Sequence, residues 1–157
     1  MLWKAFGASD VATGKFFNLR RFVPTRWEEA GERGSVVPYF TDGSLVTWLR
    51  EPDLKILEGK GVFDRATAAP DQYSKTILEI VDSGEEKAWV AIGWRQYLAW
   101  FARVEAEISA NQSVAKAILK HADALWSKVE QDEIYLYDRS NNGSWIRPWL
   151  NALSKIK

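Results

Sequence analysis

Val90-Ala91-Ile92-Gly93-Trp94-Arg95-Gln96-Tyr97-Leu98-Ala99-Trp100-Phe101-Ala102-Arg103-Val104-Glu105-Ala106-Glu107-Ile108 is the stretch that decides the fold. Val90, Trp94, Tyr97, Phe101, Val104 and Ile108 recur at spacings of four, three, four, three and four. That period belongs to one face of an α-helix, so at least residues 94–109 should be helical. Residues 109–113, Ser-Ala-Asn-Gln-Ser, then interrupt the pattern with cap-forming side chains. Val114, Ile118, Ala122, Leu125 and Val129 carry a second apolar face over about 113–131. Two amphipathic helices with so short a break between them should pack as an antiparallel pair, about 88–109 and 113–131.

Upstream of this pair the pattern changes to short strands and turns. Val36-Val37-Pro38-Tyr39-Phe40 and Leu45-Val46-Thr47-Trp48-Leu49 flank Thr41-Asp42-Gly43-Ser44, and the Asp-Gly pair predicts a tight hairpin turn. Pro38 has no N–H, which confines its strand to an edge or a bulge. Residues 54–57 form a possible further strand, stopped by Gly59 and Gly61. Residues 73–94 admit two structures. Their β-branched content and the turn around Gly84 favour a hairpin; Pro70 and the 73/77/80/81 apolar spacing favour a helix. The hairpin is taken as the expectation.

Downstream, Ile134-Tyr135-Leu136-Tyr137 reads as a strand and Asn141-Asn142-Gly143-Ser144 as a turn. Pro148 suits the first position of a short closing helix, with Leu150, Leu153 and Ile156 on one side. The expected fold is therefore α+β: a small, mainly antiparallel sheet from the N-terminal half, packed against the helix pair, with a short C-terminal helix. No linker or repeat divides the chain, so residues 1–157 are expected to form one domain.

The composition, 46% apolar and 27% charged over 157 residues, is that of a globular protein rather than a disordered one. With no cysteine there can be no disulfide, thiolate metal site or cysteine nucleophile. Net charge is zero, which gives no general attraction to nucleic acid or anionic lipid. The charges are nevertheless segregated. Lys4, Lys15, Arg20, Arg21 and Arg26 against Asp10 leave residues 1–26 at +4. Arg139, Arg147, Lys155 and Lys157 against Asp138 leave residues 138–157 at +3, and the centre carries the balancing −7. The most apolar region, residues 88–102, is broken by Arg95 and Gln96 and is too short to span a bilayer. No membrane partner is expected, and the expected location is cytoplasmic.

Catalytic signals are sparse. His121 is the only histidine, and its position three residues after Ile118 places it beside the buried helix face. One histidine cannot assemble a His-rich metal site, and no Gly-x-Ser-x-Gly elbow is present. Gly7 to Phe16 resembles a phosphate loop superficially. Its glycines stand six residues apart rather than four, and Phe16 occupies the position where Ser or Thr must hold magnesium. Asp42 with Asp53-Leu54-Lys55 has the order of a magnesium-dependent nuclease: two carboxylates for the ion and a lysine for the water. Acid-x-Lys triplets arise by chance roughly 1.5 times in such a composition, and the chain has three.

The distinctive feature is nine tryptophans. Trp48, Trp89 and Trp94 suit the core, whereas Trp100 and Trp126 fall outside the helix stripes and should be partly exposed. Trp145 and Trp149 bracket Arg147, and Trp27 follows Arg26. Exposed Trp and Arg together mark protein interfaces. The expected function is accordingly non-catalytic binding of another protein, as an inhibitor, an immunity-type protein or a subunit of a larger assembly, through Trp145, Arg147, Trp149 and Trp27. No cofactor and no metal is expected. An alternative is nucleic-acid contact within a complex. There Arg20, Arg21 and Arg26 would neutralise phosphates while Phe17, Phe22 and Trp27 stack on bases. The nuclease stands third.

Overall fold

The computed structural model describes residues 2–9, 37–68, 71–84, 89–137 and 141–155. A short helix α1 (Leu2–Ala5) is followed by strands β1 (Phe40–Asp42) and β2 (Thr47–Leu49), then helices α2 (Glu51–Gly59), α3 (Arg65–Ala68) and α4 (Gln72–Ser83). The long helices α5 (Val90–Ala110) and α6 (Ser113–Gln131) form the expected pair, and α7 (Ile146–Ser154) closes the chain. The architecture is α+β, with one two-stranded antiparallel sheet among the described residues.

Two segments expected as strands are helices. Residues 72–83 form α4, not one arm of a hairpin. Asp71 caps its first turn by accepting from the Ser74 N–H at 2.9 Å. Gly84, at φ 64°, ends it as a left-handed C-terminal residue rather than a hairpin turn. Ser74, Ile77, Leu78 and Val81 are buried at spacings of three, one and three, so the helical period prevailed over β-branched content. Residues 54–57 lie inside α2, where Pro52 fits the first turn and Leu54 and Leu57 share the buried face. Residues 134–137 are extended in their alternation of burial but pair with no strand.

The hairpin is held by side chains. Its register pairs Phe40 with Leu49, Thr41 with Trp48 and Asp42 with Thr47, leaving residues 43–46 as a four-residue loop in place of a two-residue Asp-Gly turn. Val46, not Gly43, adopts the positive φ, 54°. Gly43 is required for space: a Cβ there would lie 2.7 Å from Trp100 Nε1. On the other edge of β1, the Gln96 carboxamide accepts from the Thr41 N–H at 2.8 Å and donates to the Thr41 C=O at 3.0 Å. Gln96 Nε2 also donates to Ser74 Oγ at 3.1 Å. One helix turn before, a Cβ on Gly93 would meet the Tyr39 carbonyl oxygen at 2.7 Å, so glycine lets this backbone lie against α5. Trp126 Nε1 donates to the Leu45 C=O at 3.0 Å, and Asn141 Nδ2 to the Trp48 C=O at 2.8 Å.

These attachments rotate both long helices partway from their expected faces, while Tyr97, Val104, Ile108, Ala122 and Val129 are buried as expected. On α5 the buried residues are Gly93, Gln96, Tyr97, Trp100, Val104 and Ile108, while Val90, Trp94 and Phe101 are only half-buried. On α6 they are Ala115, Leu119, Ala122, Trp126 and Val129, while Val114, Ile118 and Leu125 are half-buried. Trp100 and Trp126, expected at the surface, are thus in the core. Burying a large indole outweighs burying a smaller aliphatic side chain, and Trp126 gains a backbone acceptor there. His121 is exposed rather than bordering the core. Tyr97 gathers the aromatic core, with the rings of Trp48, Trp94, Trp100 and Phe101 centred 5.9–6.5 Å away. The closing helix starts at Ile146 rather than Pro148, and Ile146, fully buried, is its main anchor.

Gln96→Leu leaves the buried Thr41 N–H and C=O without partners. It should lower unfolding free energy by about 3 kcal/mol or more, whereas Leu98→Gln, on the exposed side of the same helix, should stay within about 0.5 kcal/mol. Urea midpoints of the two variants measure the contrast.

Candidate protein-interaction surface

The end of α6 launches the most exposed aromatic groups described. The Ile134 N–H donates to the Val129 C=O at 2.9 Å, and Glu133 takes φ 50°, a left-handed helix ending without glycine. The chain then alternates: Ile134 and Leu136 are buried, while Tyr135 and Tyr137 are 75% and 69% exposed. The segment is held in place. Asp53, buried on α2, accepts from the Tyr137 N–H at 2.6 Å. The Arg50 guanidinium lies over the Tyr137 ring at 5.6 Å and the Tyr39 ring at 5.4 Å, and donates to the Tyr39 hydroxyl at 3.1 Å. Both tyrosines are therefore presented from an anchored backbone.

Beside them opens a cleft of about 410 Å³, with Trp126 and Ile134 toward its floor and Glu130, Glu133, Tyr135 and Asn142 around it. Asn141 ties the adjoining turn to the hairpin through Thr47 Oγ1 and the Trp48 C=O. A Cβ on the buried Gly143 would strike the Trp126 ring, so the turn packs against that indole. Beyond the turn, Arg147 Nε pairs with Asp123 Oδ1 at 3.0 Å and its Nη2 reaches Ser127 Oγ at 3.4 Å. Asp123, Ser127 and Glu130 follow one another along one stripe of α6, so Arg147 and the acidic cleft share a face.

Of the residues that the sequence pointed to, Trp145, Arg147 and Trp149 all lie at the start of α7. Arg147 is exposed and engages α6 rather than the flanking indoles. Trp145 and Trp149 are half-buried against the core, and the Trp149 ring meets Phe6 edge-on at 5.8 Å. Trp27, Arg20, Arg21 and Arg26 lie outside the described residues. Tyr135 and Tyr137 were not singled out from the sequence, although the Ile-Tyr-Leu-Tyr alternation already sets both rings on one side.

The nuclease residues are committed to the fold. Asp42, buried, accepts from the Ser44 and Leu45 N–H groups at 2.6 and 2.9 Å and so closes the hairpin loop. Asp53 accepts from Tyr137 and, at 3.4 Å, from the Arg50 N–H. Lys55 is exposed and pairs with Glu51 at 2.6 Å. Among the described residues no three His, Asp or Glu side chains gather into a metal-holding group. No helix among them is long and apolar enough to cross a membrane.

Burial pushes the Asp42 carboxyl above its ordinary value of 3.8, against the opposing pull of the Leu45 and Ser44 N–H groups and of the His121 imidazole. The folded state therefore holds this proton more tightly than the unfolded state. The resulting stabilisation is full below pH 3.8 and is lost as pH rises through the raised folded value. Asp42→Asn retains the acceptor and removes the ionisation. Its stability relative to wild type should rise between pH 4 and pH 7, as read from urea midpoints at the two pH values. Asp42→Ala, which strands two N–H groups, should cost about 2 kcal/mol at pH 4 and less at pH 7, because it too removes the ionisation.

No protein-family model matches this chain, and neither curated proteins nor solved structures contain a significant match to it.

Proposed function

We propose that the protein is a non-catalytic binding module that acts through another protein, as an inhibitor, an immunity-type protein or a subunit of an assembly. The observation that carries this reading is the pair Tyr135 and Tyr137, 75% and 69% exposed on a backbone fixed by Asp53. Large aromatic groups that stay in water on an anchored segment offer contact area at little ordering cost. The cleft next to them is rimmed by Glu130 and Glu133, and the central part of the chain carries the excess of acidic residues. The partner surface should therefore be basic, with an apolar group for the cleft floor. Arg147 and the exposed edges of Trp145 and Trp149 extend the same surface. We further propose that the 157 residues act as one domain in the cytoplasm.

The test is affinity capture from the native host, followed by direct binding of the identified partner. Tyr135→Ala and Tyr137→Ala should each weaken that complex by about 2 kcal/mol, roughly 30-fold. Tyr135→Ala and Arg147→Ala should leave the melting temperature nearly unchanged, since both side chains are exposed. Trp145→Ala, by contrast, should remove about 2 kcal/mol of fold stability because its indole packs on the core. Full affinity in the double tyrosine variant would overturn the proposal.

A further inference from the structure

A second cleft, of about 220 Å³, lies where the hairpin, α4 and α5 meet. Thr41, Ser74 and Gln96 line it and are 3%, 1% and 1% exposed. The Gln96 carboxamide is fully engaged by Thr41 and Ser74, and Ser74 Oγ donates to Asp71 at 3.1 Å. The Thr41 hydroxyl differs. Its Oγ1 is buried and makes no hydrogen bond among the described residues. A buried hydroxyl in that state is unfavourable, and valine would fill the same shape without the penalty. The polar group is thus poorly accounted for by the fold alone.

The surrounding groups define what would satisfy it. Trp100, 9% exposed, contributes part of its indole to the cleft wall, and its ring is packed beside Gly43 and against Tyr97. An indole face suits the C–H face of a saturated ring. Arg103 and Glu107 stand one turn apart on α5 at the exposed side. They are planar groups able to make paired hydrogen bonds to adjacent hydroxyls. Arg103 and Glu107 offset one another, and Asp71, which also lines the cleft, adds a negative charge that disfavours phosphate. The Asp71 carboxylate already accepts from Ser74, and no three metal-holding side chains gather among the described residues, so the free polar group is the neutral hydroxyl of Thr41. The volume, about 220 Å³, is below the usual range for drug-sized ligands and suits a single-ring compound.

We propose that this cleft binds a neutral, hydroxyl-rich small molecule of monosaccharide size, with a ligand hydroxyl on Thr41 Oγ1 and the ring against Trp100. The site is separate from the tyrosine surface and does not depend on the protein-binding reading.

The experiment is a titration of the isotopically labelled full chain with D-glucose, D-galactose, D-mannose and N-acetyl-D-glucosamine, each to about 50 mM, followed by NMR. At least one sugar should give saturable shifts centred on the Thr41 and Ser74 amides, the Gln96 side-chain amide and the Trp100 indole N–H. Thr41→Val should weaken that sugar by about tenfold or more while the melting temperature holds or rises. Thr41→Ser, which restores the hydroxyl, should bind nearly as wild type. Arg103→Ala, at an exposed position, should fold normally and also bind more weakly. Absence of saturable shifts with all four sugars would overturn the proposal. So would undiminished binding by Thr41→Val, or a clear fall in its melting temperature, which would assign the hydroxyl to the fold.

Discussion

The Gln96 carboxamide, bonded to both backbone groups of Thr41, joins the hairpin to the long helix α5. A two-stranded hairpin has two open edges and is marginal in water by itself. Here one edge of β1 meets a helix, and a helix backbone has no groups to lend to a strand. Gln96 supplies the missing amide from a side chain. Placing one donor and one acceptor on the same residue reproduces what a neighbouring strand would offer. Gly93 makes this possible, because any side chain there would collide with the Tyr39 carbonyl and hold the strand away.

The same solution is used around the hairpin. Trp126 satisfies the Leu45 carbonyl, Asn141 the Trp48 carbonyl, and Asp42 the loop N–H groups of Ser44 and Leu45. Polar side-chain atoms thus do the work of additional backbone partners. This explains part of the tryptophan content: an indole buries a large apolar area and brings a single donor that can reach a backbone carbonyl. The aromatic core around Tyr97 then fills the space between the hairpin and α5.

Both surfaces proposed to bind follow from this arrangement. The small cleft borders the Gln96 network, so its polar floor exists because the hairpin edge must be satisfied there. The tyrosine face exists because Asp53 fixes the segment after α6, and because the 141–144 turn packs against Trp126 and Asn141 clips it to β2. Asp53, which has the sequence setting of a metal ligand, is the anchor of the segment that presents the two tyrosines.

Local patterns in the chain specify the two long helices almost to their ends, the existence of the hairpin and the closing helix. Each rests on a local pattern that repeats over many residues or on a turn with special backbone needs. Such patterns also place Tyr135 and Tyr137 on one side, since alternation is local. Long-range packing settles how far α5 and α6 rotate about their axes, whether residues 72–83 coil or extend, and what Asp42, Asp53 and Gln96 do. A polar residue on an apolar stripe looks like an interruption until its partner is known. Gln96 is separated from Thr41 by 55 positions and Asp53 from Tyr137 by 84. Periodicity measures hydrophobicity along one helix and carries no record of a backbone group that distant. The helices rotated to satisfy those groups and to bury Trp100 and Trp126, because an unpaired buried amide costs more than a half-exposed valine or leucine.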